Sequence, residues 1–90
     1  MIATNDFRVR YDRMGDVLYI STPQNAPARS KEDDEGVLWR YATTTGHLVG
    51  ITVMDFDAYW SKHKKALAEK VSQGFHLSRA QAEQILSDAN

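Results

Sequence analysis

The chain has 90 residues, 42% of them hydrophobic, and carries 11 lysines and arginines against 12 aspartates and glutamates, for a net charge of −1. This length suits one domain, residues 1–90, built around one core. The near-neutral charge supplies no long-range field that would favour nucleic acid or an anionic membrane as a partner. The absence of cysteine excludes disulfides, thiolate-bound metals and a thiol nucleophile.

The apolar segments of the chain are short. The longest, residues 48–54, is interrupted by Gly50 and Thr52 and falls far below the roughly 20 residues of a membrane-spanning helix. The first residues lack the charged and apolar regions of a secretory signal. We therefore expect a soluble, cytoplasmic chain with no membrane partner. A domain this small, without disulfides, gains stability from self-association, which favours an oligomer.

The first two thirds of the chain show the period of two that is typical of β-strands. Four runs alternate in this way: residues 7–11, 16–21, 37–42 and 48–54. Gly50 in the last run indicates a β-bulge or the close approach of another backbone. Residues 22–35 contain no large apolar side chain and include two prolines, so they are predicted to form a loop. The pattern predicts a four-stranded antiparallel β-meander over about residues 7–54.

The last third of the chain changes to helical spacing. A first helix is predicted over residues 58–73, with Asp57 as its N-cap and Gly74 as its C-terminal stop. A second helix is predicted to begin at Ser78, which has the spacing of a capping box with Gln81. Strands followed by helices indicate an α+β fold, with the two C-terminal α-helices packed on one face or end of the sheet.

The sequence contains no recognised catalytic or cofactor motif. The three histidines lack a second ligand at a metal-binding spacing, and no nucleophile elbow, P-loop or dinucleotide fingerprint occurs. Asp12 and Asp16 flank a tight turn, where aspartates bond local backbone amides. We therefore expect a non-enzymatic protein without a metal or cofactor. An enzyme or small-ligand binder that uses Asp12, Asp16 and nearby aromatic residues is the third alternative.

Two of the predicted strands are apolar on both faces, whereas two short helices can cover only one face of a sheet. The face left uncovered requires a partner. The candidate interface residues are Leu18, Tyr19, Ile20, Leu38 and Trp39. A symmetric homodimer provides this cover with a single self-complementary patch. A different protein, such as a small toxin, would bury the same surface.

A DNA-binding regulator acting through the C-terminal helices is the alternative function. Its candidate contacts are Lys62, Lys64, Lys65 and Arg79. The connection between the helices has a length that suits a helix-turn-helix. The chain lacks the cationic excess typical of DNA-binding domains, however, and so a solvated helix face is favoured and nucleic acid is not expected as a partner.

Several short elements occur in an order that points to a family. These are Tyr11-Asp12, Asp16-Val17-Leu18-Tyr19-Ile20, Ala28-Arg29-Ser30, Gly36-Val37-Leu38 and Gly46-His47-Leu48-Val49-Gly50-Ile51. Together they resemble the bacterial domain-of-unknown-function family twenty-two eighty-three over about residues 7–55. The resemblance implies a small, strand-rich protein with no established activity. Some members lie beside small ribonuclease-like toxins, which implies an antitoxin role for part of the family.

The chain departs from this family at two places. Members often carry acidic residues where this chain has Thr43-Thr44-Thr45, and a glutamate where it has Thr52. A site built on those carboxylates would therefore be absent here. The resemblance and the residues agree on an uncharacterised protein-interaction module, antitoxin-like in the more specific version.

Overall fold

The computed structural model describes residues 6–24 and 26–89. Its elements are β1 (Arg8–Asp12), β2 (Val17–Ser21), β3 (Ala28–Glu32), β4 (Val37–Ala42), β5 (Leu48–Met54), a 3₁₀ turn (Trp60–Lys62), α1 (Lys64–Phe75) and α2 (Arg79–Ser87). The strands form one antiparallel sheet, and the two helices follow it in the chain. The prediction of an α+β fold with two C-terminal helices is confirmed.

The sheet has five strands, so the prediction of four is wrong. The additional strand, β3, lies inside the predicted loop of residues 22–35. It is an edge strand that pairs only with β4, and four of its five residues are exposed. Such a strand needs no apolar side chains, because neither of its faces is buried. Polar edge residues also discourage pairing with another chain. The alternation of apolar and polar residues that indicates a strand is therefore missing.

The order of the strands also differs from a meander. The sheet runs β1-β2-β5-β4-β3, so the last strand is inserted between two hairpins. β5 pairs antiparallel with both β2 and β4. Its position follows from its composition, because Val49, Ile51 and Val53 are all buried and the centre of the sheet excludes water best.

The bulge predicted at Gly50 is present. The register between β4 and β5 changes after Arg40, which pairs with Gly50, while Tyr41 pairs with Leu48. Val49 is the additional residue. A Cβ atom on Gly50 would lie 3.1 Å from the carbonyl oxygen of Ile20, so a close backbone approach accompanies the bulge. The extra residue turns Leu48 toward the hydrophobic core, against which it packs.

The predicted first helix is divided in the structure. The backbone of Asp55 is left-handed (φ 55°), and the following turn is 3₁₀ before α1 begins after His63. Asp57 is therefore not the N-cap of α1. Its amide donates instead to the side chain of Asp16. The break places Trp60, which is 2% exposed, into the core, and an uninterrupted helix would carry this ring elsewhere.

Gly74 is not the C-terminal stop of α1. The helix continues to Phe75, and His76 adopts the left-handed conformation (φ 57°) that ends it. Gly74 serves packing instead, because a Cβ atom there would overlap the six-membered ring of Trp39 and lie 3.1 Å from Cδ2 of Leu48. The capping box of α2 is confirmed, since Ser78 and Gln81 exchange hydrogen bonds of 3.1 and 2.9 Å.

Both helices pack on one face of the sheet. The core combines strand residues with side chains from the 3₁₀ turn and both helices: Leu18, Ile20, Val37, Ile51, Val53, Trp60, Leu67, Val71, Ala82 and Ile85. The predicted apolar stripes of the two helices are thus buried against β2, β4 and β5. Among the helices in the described residues, none is long and apolar enough to cross a membrane.

Candidate functional site

Asp16 joins the β1–β2 turn to the segment that follows β5. Its carboxylate accepts hydrogen bonds from the Tyr11 hydroxyl at 2.6 Å and from the amides of Asp57 and Ala58 at 2.7 and 3.0 Å. Its carbonyl oxygen also accepts a bond from the amide of Phe56. Residues more than 40 positions apart in the chain are held together by this one side chain.

These bonds set the charge state of Asp16 and Tyr11. The hydrogen bond from Tyr11, with help from the two backbone amides, lowers the pKa of Asp16. The same bond raises the pKa of Tyr11 to about 12. The neighbouring Asp12 accepts a bond from the amide of Met14 within the turn. Asp12 thus bonds a local amide, as its position beside the turn predicts. Asp16 differs from that expectation, because the amides it bonds belong to the distant segment after β5.

Asp33 is a second anchoring carboxylate, and sequence reasoning missed it. It accepts bonds from the amides of Glu35 and Val37 at 2.9 and 3.0 Å, and from the Trp39 indole at 2.9 Å. The Lys70 ammonium of α1 donates to it at 2.9 Å and lies 2.6 Å from Glu35. The acidic run of the β3–β4 turn is therefore fastened to the helix layer.

The surroundings of Asp33 keep it ionised. Partial burial by itself would raise the pKa of Asp33, but the bonds from Lys70, Trp39 and the two amides outweigh burial and hold that pKa well below its usual range. Burial alone would likewise lower the pKa of Lys70, whereas Glu35 and Asp33 raise it. The sequence signal for this site was an acidic turn followed closely by Trp39 of β4. The sequence could not show that Lys70 of α1 completes the site, because that contact depends on tertiary packing.

The five candidate interface residues are divided between the two faces of the sheet. Leu18 and Ile20 are 0% and 1% exposed and lie under the helices, so they are inaccessible in the folded chain. Trp39 is half-buried on the same side, where it packs against the core. Tyr19 and Leu38 are half-buried and belong to the opposite face.

That opposite face, the open sheet face, is defined by two complete rows of paired residues and part of a third. The first row is Arg10–Tyr19–Thr52–Leu38–Glu32, the second is Arg8–Ser21–Gly50–Arg40–Ser30, and the third contains Asp12–Val17–Met54. Within the described residues, neither α1 nor α2 packs on this face, because the core residues of the sheet all point the other way. In the first and third rows the apolar side chains lie on the inner strands and the charged ones toward the edges, whereas the second row carries Arg40 on the inner strand β4.

Arginines partly cover the aromatic and glycine positions of the open sheet face. The guanidinium of Arg10 lies over the ring of Tyr19, 4.4 Å from its centroid, in a cation–π contact. The guanidinium of Arg40 lies 3.7 Å from where a Cβ atom of Gly50 would be. Met54, at the end of β5, is 50% exposed. The face can therefore offer both apolar contact and charge-assisted hydrogen bonds to a protein partner.

The candidate nucleic-acid contacts lie on the other side of the molecule. Lys62, Lys64, Lys65 and Arg79 are all exposed. The guanidinium of Arg79 approaches the carbonyl oxygen of Lys65 at 3.5 Å, so this long side chain reaches from the start of α2 to the first turn of α1. Lys64 and Lys65 also border a cleft of about 360 Å³ between the helices, where Asp57 and Glu83 contribute opposite charge.

The metal-binding side chains in the described part of the chain lie apart from one another. Among residues 6–24 and 26–89, no three histidine, aspartate or glutamate side chains converge on a common point. His63 stacks on Tyr59 with ring centroids 4.4 Å apart. Asp16 and Asp33, whose pKa values are lowered, each bond two backbone amides.

Together the fold and the open sheet face define a small α+β protein in which, over the described residues, the helices cover one face of the sheet and leave the other without a helix. The model of the family described as "Protein of unknown function (DUF2283)" matches residues 8–56. The chain belongs to this family. No curated protein and no solved structure matches it. The matched region contains all five strands and every residue of the open sheet face, and it ends before α1.

Proposed function

We propose that this chain is a non-enzymatic protein-interaction module that forms a homodimer through its open sheet face. The observation that carries the proposal is the central pair Tyr19 and Leu38, which lie half-buried on the side of the sheet away from the helices. Val17 and Met54 extend this apolar area along β2 and β5. An apolar area framed by polar residues is characteristic of a protein interface.

Association through the face is favoured over association through an edge of the sheet. At the β3 edge, Arg29, Lys31 and Glu32 are exposed, and at the β1 edge Arg8 and Arg10 are exposed. Charged side chains on outer strands oppose the addition of a further strand. A second copy that packs face to face adds no strand to the backbone edges of β1 and β3.

The size of the face predicts a dimer of modest affinity. Five strands about 4.8 Å apart and about five residues long give a projected area on the order of 400 Å² per protomer. Protruding side chains give the face a larger accessible area than its flat projection. The dimer contact therefore buries about 1,000 Å² summed over both protomers, near the lower limit of stable interfaces. We therefore expect dissociation in the micromolar range.

Sedimentation velocity of the full chain over a range of concentrations tests the proposal. The wild-type protein should shift from monomer to dimer as its concentration increases. Tyr19→Asp should weaken the dimer by about 10-fold or more, because it removes the aromatic ring and brings a carboxylate into the apolar centre at both symmetric contacts. The matched control is Tyr41→Asp, since Tyr41 is 38% exposed but faces α1, where it lines a groove with Gly74.

A wild-type chain that stays monomeric at every concentration would contradict the homodimer. The open sheet face would then be assigned to a different protein, and co-expression with a small ribonuclease-like toxin would test the antitoxin-like version. Equal effects of Tyr19→Asp and Tyr41→Asp would show that association uses another surface.

We do not favour DNA binding by the helices. The side chain of Gln81, at the start of α2, is used to cap the helix. Glu83 and Asp57 lie beside Lys64 and Lys65 in the same cleft and offset their charge. Substitution of Lys64 and Lys65 by alanine would weaken retention on DNA at low salt if the helices bind it.

A further inference from the structure

The first row of the open sheet face is complementary to itself. Arg10 stands at one end of the row and Glu32 at the other, with Tyr19, Thr52 and Leu38 between them. Thr52 of the central strand β5 is the middle of the row. Arg10 and Glu32 therefore lie two strands away from it on opposite sides, and they carry opposite charges. Tyr19 and Leu38 are also equidistant from Thr52.

The two charges are too far apart to pair within one chain. Four strand spacings of about 4.8 Å separate Arg10 from Glu32, a distance of about 19 Å. In the described part of the chain, the ion pairs involve Lys70 and not Arg10 or Glu32. Arg10 contacts the face of the Tyr19 ring in its own chain, and this contact leaves its N–H groups to bond a carboxylate of another molecule. Glu32 is exposed and can accept such a bond.

From this arrangement, and resting on the proposed homodimer, we infer that the twofold axis of the dimer runs along β5. Rotation about this axis exchanges the two ends of the row. Arg10 then faces Glu32 of the partner subunit, and Tyr19 packs on Leu38 of the partner subunit. A closed symmetric dimer repeats each of these contacts twice.

The alternative face-to-face arrangement has its axis perpendicular to the strands. That rotation places each residue of the row against its own copy, so Arg10 meets arginine and Glu32 meets glutamate. Like charges brought together at an interface are unfavourable. Charge complementarity thus distinguishes the two axes.

The distances of sheet packing permit the inferred contacts. Facing sheets lie about 10 Å apart, and their strands cross at about 30°. At the ends of the row, about 10 Å from the axis, this crossing displaces the facing residues by about 5 Å. The long side chains of Arg10 and Glu32 can span that displacement.

Charge reversal tests the direction of the axis. Arg10→Glu alone, or Glu32→Arg alone, should weaken self-association by about 10-fold or more, because like charges then meet at both symmetric contacts. The double variant Arg10→Glu/Glu32→Arg should regain dimerisation, and an equimolar mixture of the two single variants should form heterodimers. These differences should shrink at high salt.

The matched control is Arg29→Glu, which reverses the charge of an exposed arginine on the helix side of β3. Circular dichroism establishes that each variant is folded. A wild-type dimer whose stability is unchanged by either single reversal would overturn the inferred axis while the proposed homodimer stands. A monomeric wild-type chain would overturn both.

Discussion

The Nζ atom of Lys70 lies 2.9 Å from Oδ2 of Asp33 and joins the middle of α1 to the turn between β3 and β4. The partners are 37 residues apart in the chain. Since β3 is an edge strand with little buried surface, this contact and the Trp39 bond to the same carboxylate attach the outer hairpin to the rest of the fold.

Replacement of Asp33 by asparagine removes the charge at this junction. We expect Asp33→Asn to lower the free energy of unfolding by about 1 to 2 kcal/mol, because the charge-assisted bonds to Asp33 are lost. Partial exposure to water weakens those bonds and keeps the change this small. Urea denaturation followed by tryptophan fluorescence measures the change. Asp34→Asn is the matched control, because Asp34 is exposed in the same turn. Equal stabilities of the two variants would contradict the anchoring role.

Acid should weaken the fold through the same carboxylate. The pKa of Asp33 is lower in the folded chain than its ordinary value of 3.8, so the stabilisation is fully present above about pH 4. It is lost as the pH falls below that value toward the folded-state pKa, because the unfolded chain takes up the proton more readily. As the pH is lowered from 6 to 2.5, the urea concentration at the midpoint of unfolding should decrease less steeply in Asp33→Asn than in the wild type. An unchanged slope would assign the acid sensitivity to other groups.

The Tyr11 phenol should lose its proton at a higher pH than an ordinary tyrosine. Its bond to Asp16 raises the pKa of Tyr11 to about 12, from 10.0. The associated stabilisation is present below pH 10 and is lost as the pH rises through about 12. The ultraviolet absorbance titration curve of Tyr11→Phe, subtracted from that of the wild type, isolates the titration of this phenol. In Asp16→Asn the pKa of Tyr11 should return toward 10, and a pKa that stays near 12 would show that Asp16 is not its cause.

Gly74 should resist a substitution that normally favours helices. Glycine to alanine inside a helix usually stabilises by about 1 kcal/mol. Here the new methyl group would overlap Trp39, whose indole is held by its bond to Asp33. We therefore expect Gly74→Ala to destabilise by about 1 to 3 kcal/mol. Thermal unfolding checks this, with Gln73→Ala at the neighbouring exposed position as control. A stabilised Gly74→Ala would mean that the Trp39 ring moves freely.

The family region was recognisable from sequence because its elements have local causes. Asp12 follows the chemistry of a tight turn, and beyond the family region Ser78 and Gln81 follow that of a capping box, so short spacings were sufficient. The α+β class and the apolar stripes of the helices follow from periodicity alone. Each of these features depends on residues within a few positions of one another.

Tertiary packing decided what the local patterns left open. β3 has no apolar alternation because an edge strand buries neither face, and its existence depends on pairing with β4. Tyr19 and Ile20 are neighbours with opposite environments, and nothing in their own strand says which of them the helices cover.

The local sequence of this chain determined its class, the Asp12 turn and the capping box of α2, since those arise from short-range hydrogen bonds and spacing. The insertion of β5 between two hairpins decided the strand order and the covered face, and placed Arg10 and Glu32 at opposite ends of one row. These are contacts between distant segments, and they form where burial of the central strand and the two helices removes the most apolar surface from water.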